Sequence, residues 1–200
     1  SCNVSLPLDY VCRSQKESKL GKVLKAPKEL NSEVEVNQDD FFIINSESIA
    51  RIKNKAKHNA SGKYRTCIHR SEVDFVHEML IVHKSNTFVR PHKHALNGES
   101  LHFIEGSATA IIFDQRGKIE KFFEVGDAST GRIFFYHMQR NVFHTLLIES
   151  EFLVFKETTQ GPFIRENTIF PDWAPNSKDP SVAETYMAKL KKLVSSKLHE

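Results

Sequence analysis

Two hundred residues, 40% of them hydrophobic, are enough for one domain with a real core, and 15 phenylalanines against one tryptophan make that core phenylalanine-rich. A net charge of +3, with 28 basic residues set against 25 acidic ones and no long basic block in mid-chain, argues against a nucleic-acid surface. No apolar run reaches the length of a membrane span, and Cys2, Cys12 and Cys67 are an odd, widely spaced set without a CxxC pair, which argues against a disulfide framework and suits a reducing, cytoplasmic setting.

The opening SCNVSLPLDY lacks the charged-then-apolar order of a signal peptide; its start at Ser rather than Met is compatible with removal of a preceding segment, which leaves a lipid anchor at Cys2 as an open alternative. Residues 1–40 are polar and lysine-rich, and VLKAPKELNSEVEV suggests an extended arm or extra edge strand around Pro27. Asn45 is placed to cap a short helix over SESIARIKNKAKH, with Ile49 and Ile52 on its packing side. From Tyr64 to about Glu157 the chain reads as short strands at roughly ten-residue intervals: EMLIVHK, TFVRPHKH, ESLHFIEG, SATAIIFD, KIEKFFEV, GRIFFYHM, VFHTLLIE and EFLVFKE. No segment between them is long enough for a helical crossover, so the expected class is all-β, a double-stranded jelly roll over residues 41–175. Asp179-Pro180 then opens a C-terminal helix within residues 176–200. Its Val182, Tyr186, Leu190 and Leu193 are expected to dock on the domain, leaving Lys189, Lys191, Lys192 and Lys197 outward.

The segment RPHKHALNGESLHFIEG carries the chemistry. Alternation along a strand sends His92 and His94, with Arg90, to one face, so two imidazoles are presented together. The ALNG stretch reads as a turn with Gly98 at positive φ, after which Glu99 brings a carboxylate opposite the histidines. His144, in a strand-like run far downstream, is the fourth candidate ligand. Three imidazoles and one carboxylate suit a divalent first-row metal, with Zn, Fe, Mn, Ni and Co all compatible. His102, three residues after Glu99, faces the other way, and His58, His83 and His199 read as histidines satisfied by ordinary hydrogen bonds. Arg90 has two readings, recognition of a substrate anion or an ion pair with a carboxylate such as Glu157.

The spacing His92-x-His94, Glu99, Gly106 resembles the first metal motif of the cupins, and His144 is similar to the histidine of their second. The span from Arg65 to Pro175 more narrowly resembles the WbuC family of cupin metalloproteins. It does so in Arg65 with His69, the FVRPHKH run, the IIFDQRGKIE hairpin with Gly117 in its turn, Gly161-Pro162 and Trp173-Ala174-Pro175. Two features depart from the pattern. The second motif's Pro and Gly are replaced by Gln139 and Asn141, although Asn tolerates the left-handed region a tight turn needs. Thr159 stands where the family has a lysine two residues after Glu157.

The resemblance implies a small, carbohydrate-like substrate, a sugar or nucleotide-sugar, in bacterial surface-polysaccharide (O-antigen, capsule or lipopolysaccharide) biosynthesis, and a homodimer. The leading expectation is a metal-dependent isomerase or epimerase, with Arg90, His69 and Tyr136 at the substrate and a general base among His137, His69 and Tyr136. An Fe(II) dioxygenase and a non-catalytic sugar-binding module are the alternatives.

Overall fold

A computed structural model describes residues 25–85, 87–176 and 179–197. Cys2, Cys12, His199 and the arm up to residue 24 lie outside the described residues. Twelve strands are described: β1 (Lys28–Asn31), β2 (Val34–Val36), β3 (Lys63–Cys67), β4 (Val76–Lys84), β5 (Lys93–His94), β6 (Glu99–Glu105), β7 (Ser107–Phe113), β8 (Ile119–Gly126), β9 (Phe135–Met138), β10 (Phe143–Ile148), β11 (Phe152–Gln160) and β12 (Thr168–Ile169). Helix α1 (Ser46–His58) precedes β3, and helix α2 (Pro180–Lys197) follows β12. Among the described residues no helix is long and apolar enough to cross a membrane.

The strands form an all-β double-stranded jelly roll. One sheet runs β1-β2-β3-β4-β11-β6-β9, facing it is β10-β7-β8, and β12-β5 makes a small third piece. All pairings are antiparallel except β2 with β3, so residues 28–36 add two strands to the edge of the large sheet. The inner faces meet in a core that includes Ile81, Leu101, Phe103, Val125, Leu146 and Phe155.

Both sheets are also apolar on their outer faces, because a helix covers each. Asn45 caps α1 in a reciprocal box with Ser48, and Ile52 and Ala56 pack on Leu80, Val82 and Val154. That is why β4 reads MLIV without alternation: strands buried on both faces lose the period-two signal. Asp179 Oδ1 caps α2 by accepting from the N–H groups of Ser181 (3.0 Å) and Val182 (3.4 Å). The helix buries Ala183, and packs Leu190 and Val194 with Ile111, Phe113 and Leu147. The docking stripe therefore differs from the expected one. Tyr186 and Leu190 belong to it, but Val182 and Leu193 are 46% and 39% exposed, since the contact follows the i, i+7, i+11 line through Ala183.

Two more expectations are corrected. TFVRPHKH is not a continuous strand: only Lys93–His94 is regular, with His92 making an isolated bridge. Pro91 has no N–H to donate, and Val89 is held by its carbonyl, which accepts from Thr145 Oγ1 at 2.5 Å. Gly98 is not at positive φ. It is close-packed instead, a Cβ there lying 2.8 Å from the Met138 carbonyl oxygen. The segment it ends is not a hairpin, for β5 and β6 belong to different sheets. Gly117 does take positive φ (83°) in the β7–β8 turn, with the Trp173 ring stacked where its side chain would be.

Helix α1 is fastened through a buried carboxylate. Glu35 lies on the outer face of β2, and its oxygens accept from Arg51 (2.6 and 2.8 Å), Lys55 (3.1 Å), Thr66 (2.7 Å) and Tyr64 (3.2 Å). Burial favours its neutral form, but the Arg51, Thr66 and Lys55 hydrogen bonds outweigh that and bring the carboxyl down to about 2. A lowered folded-state value stabilises the fold above the unfolded carboxyl's range, and that contribution is lost as pH falls from about 4.5 to about 2. Glu35→Gln is expected to cost about 2–3 kcal/mol at neutral pH, as judged by denaturant titration. The same variant should flatten the loss of stability between pH 4.5 and 2.

Candidate metal centre

His92 and His144 are backbone partners. Each donates its N–H to the other's carbonyl, at 3.1 and 2.9 Å, and residues paired in this way carry their side chains on one face. His94 joins them two residues along. Asn141, at φ 64°, turns the chain into β10 and donates its N–H to the His94 carbonyl at 2.8 Å, so the turn survives with Asn at the motif's Gly position. The three imidazoles offer nitrogens all within 4.8 Å of one another. Glu99 closes the group from the opposite sheet, with its two oxygens 3.0 Å from His144 Nε2 and 3.2 Å from His94 Nε2.

The ring orientations suit metal ligation. Nδ1 of His92 lies 2.8 Å from the Arg90 carbonyl, and Nδ1 of His144 lies 2.9 Å from that of Val142. Donating Nδ1–H to a carbonyl two residues back fixes the tautomer and leaves Nε2 with a free lone pair, the arrangement found behind metal-bound histidines. His94 differs, its Nδ1 lying 3.4 Å from Thr168 Oγ1, but the three histidines together could bind a metal ion, and the donor set fits a divalent one. Burial, then the neighbouring His144, pulls His92 down to about 3, so it is neutral at physiological pH. Burial also disfavours charge on His144, but Glu99 more than offsets this and raises it. Glu99 is held well below the carboxylate range, burial being overcome by His144 and His94.

A cavity of about 290 Å³ runs from this cluster into the interior, and a wider cleft of about 450 Å³ lies outside it; His92, Arg65 and Glu157 border both. The registers explain the order of groups along the wall. Thr159 pairs with Glu99 and His77, Glu157 with Leu101 and Met79, and Phe155 with Phe103 and Ile81. Glu157 is therefore one inward row deeper than Glu99. Burial, then the charge of Glu99, pushes its carboxyl up to about 7. Tyr136 borders the same cavity with its ring against Phe103 and Phe123, and burial, then Glu99 and Glu157, keeps its hydroxyl well above its ordinary value.

The other singled-out residues fall elsewhere. The Arg90 guanidinium stacks 4.8 Å from the Phe170 ring and donates to the Ala174 carbonyl at 3.3 Å, with Nε buried and unpartnered; no Arg90–Glu157 ion pair is among the described contacts. His69 borders the outer cleft, stacked on His77 at 3.9 Å. His137 is exposed and faces outward, 2.9 Å from Ser100 Oγ, and His102 is exposed as the alternation requires. His83 departs from its ordinary reading: its Nδ1 is buried without a hydrogen-bond partner, and the residue borders the inner cavity. Sequence reasoning missed Lys63 altogether, took Glu157 only as a candidate partner for Arg90 and read His83 as an ordinary hydrogen-bonded histidine. The signal that held them was the alternation of KYRTC, HEMLIVH and FKETT, which sends them inward once the strands are aligned.

A family profile described as a domain of unknown function (DUF6016) matches residues 44–125, less than half of the chain. No curated protein matches the sequence. Among solved structures, oxalate decarboxylase from Bacillus subtilis aligns with 19% identity and a TM-score of 0.40, over 48% of this chain and 24% of that one. A Shewanella oneidensis structural-genomics protein aligns with 12% identity and a TM-score of 0.48, over 64% of this chain and 85% of that one. Procruciferin, an 11S globulin from Brassica napus, aligns with 14% identity and a TM-score of 0.38, over 47% of this chain and 21% of that one. This chain thus spans about a quarter of the decarboxylase's length. These neighbours are cupin-fold proteins. All three scores lie below 0.5, so the jelly-roll assignment rests on the strand order and registers.

Protein purified without chelator is expected to carry about one divalent ion per chain by plasma mass spectrometry, and His144→Ala to lose it. Loading should weaken as pH falls, because an ion at His144 must displace a proton whose affinity is raised.

Proposed function

We propose that this chain is a cupin-type metalloenzyme that isomerises or epimerises a small, polar, carbohydrate-like substrate inside the jelly roll. The setting that the WbuC resemblance suggests is bacterial surface-polysaccharide biosynthesis, in the cytoplasm. The observation that carries the reading is the inward row of Glu157 beside the His92, His94, Glu99 and His144 cluster: a carboxyl pushed up to about 7 borders the same cavity as His92, Glu99 and His144, and the same outer cleft as His94.

Those four residues would hold a divalent ion, which when bound supplies Lewis-acid polarisation of a substrate oxygen. Glu157, as carboxylate, accepts the proton from the carbon next to a substrate carbonyl and returns it to the neighbouring carbon or the opposite face. Tyr136 stays protonated and donates a hydrogen bond to the oxygen on which charge develops. The apolar wall of Ile81, Leu101 and Phe155 excludes water from the reacting carbon.

The test is exchange of the α-proton for deuterium, followed by NMR, for aldose and ketose phosphates incubated with metal-loaded protein in D₂O. Glu157→Gln is expected to slow exchange by about 10²–10⁴-fold while retaining the metal. The rate should rise with pH as Glu157 deprotonates, from about 7 downward once a nearby cation favours the carboxylate. Exchange that survives both Glu157→Gln and His144→Ala would remove the reading. Oxygen consumption by iron-loaded protein would replace it with a dioxygenase, and ligand binding without exchange would leave a binding module.

A further inference from the structure

Two cations border the inner cavity without a direct ion pair, Lys63 half-buried and Arg65 exposed where the cavity meets the outer cleft. Lys63 and Arg65 alternate onto the inner face of β3, in register with His83 and Ile81 of β4. Among the described residues neither side chain takes part in a hydrogen bond or an ion pair, even though Glu33 and Glu157 border the same cavity. His83, the register partner of Lys63, adds a buried Nδ1 that also lacks a partner. Burial weakens the hydration of Lys63 and outweighs the attraction of Glu33, so an anion at its ammonium would be favoured, and Arg65, two residues along on the same face, can reach the same anion from the solvent side. One buried ring nitrogen without a partner and two cations without a direct ion pair on the same cavity wall suit an anionic ligand.

We propose that Lys63, Arg65 and His83 form an oxyanion site that receives a carboxylate or phosphate on the substrate, while its oxygen-rich opposite end faces His92, His94, Glu99 and His144. This rests on the metalloenzyme reading only for the second half of the sentence; the oxyanion site exists or fails without the metal. The spacing sets the substrate's size. Arg65 stands two inward rows and Lys63 three rows from Glu99, about 13 and 20 Å along the strands, and both side chains are long enough to reach back over part of that span. A cavity of about 290 Å³ is at the small end for ligand sites and holds one ring or a short open chain. The substrate class is thus an acidic or phosphorylated monosaccharide. A nucleotide-sugar does not fit wholly within it. His83, pulled down to about 3 by burial and then by Lys63 and Arg65, is neutral and contributes one N–H hydrogen bond but no charge.

The experiment is the thermal midpoint of the protein titrated with inorganic phosphate and, separately, with acetate, for wild type, Lys63→Met/Arg65→Met and His92→Ala/His144→Ala. A saturable upward shift is expected in wild type and in the histidine variant. In the Lys63/Arg65 variant it should be lost, or its half-point moved at least tenfold, leaving only the general salting effect of phosphate. Without ligand, the Lys63/Arg65 variant should melt close to the wild-type temperature, since neither side chain holds a hydrogen bond or ion pair among the described residues. A structural role predicts the opposite, a lower midpoint with the anion response intact, and that result overturns the proposal, as does a wild type that responds saturably to neither anion. A response to phosphate alone or acetate alone identifies which group the site takes. If the metal is absent while the anion response depends on Lys63 and Arg65, the metalloenzyme reading falls and the oxyanion site stands.

Discussion

The mutual backbone hydrogen bonds of His92 and His144 are the constraint on which the centre depends. They join a nearly irregular segment to β10, put two imidazoles on one face, and tie each ring through Nδ1 to a carbonyl of its own strand. Asn141 adds a third tie, from the turn before β10 to the carbonyl of His94. Little freedom remains in the His92 and His144 rings or in the backbone of His94, so a bound ion would meet a site largely formed, and little ordering entropy would oppose it.

The rest of the architecture makes a polar interior tolerable. Helices α1 and α2 cover the outer faces of the two sheets and supply separate apolar clusters there. Stability does not then rest on the inner face alone, which is free to carry Lys63, Arg65, His83, Glu99 and Glu157 beside its apolar residues. The Glu35 network with Arg51 and Lys55 belongs to the same arrangement, for it locks α1 onto β2 and β3. The pairing of β3 with β4 then sets Lys63 beside His83 on the inner face.

Much of this was legible in the chain. The strand-by-strand pattern predicts the all-β class, the Asn45 cap predicts α1, Asp179-Pro180 predicts α2, and the HxH spacing singles out His92 and His94 with Glu99. Other parts were not. Val182 and Leu193 have the right periodicity for the docking face of α2, yet Ala183 and Val194 are the buried ones, because a helix with apolar residues on much of its circumference can rotate by a third of a turn without breaking its pattern. Gly98 has the sequence of a turn glycine, but what requires glycine there is the Met138 carbonyl of another strand. Arg90 alternates with His92 toward the site, and the irregular path through Pro91 instead turns it onto Phe170.

What the sequence determined by itself is the set of residues that share a face, since alternation along a strand and the caps at helix ends are local properties of the backbone. Lys63 with Arg65, His92 with His94, and Glu157 with Thr159 are such sets. Which sets face one another was decided only by tertiary structure. That Glu99 approaches the histidines from the opposite sheet, that Glu157 lies one row deeper, and that Lys63 meets His83 are consequences of registers between strands far apart in the chain. A shift of one residue in any of those registers would turn the same side chains outward, and no local pattern encodes that choice.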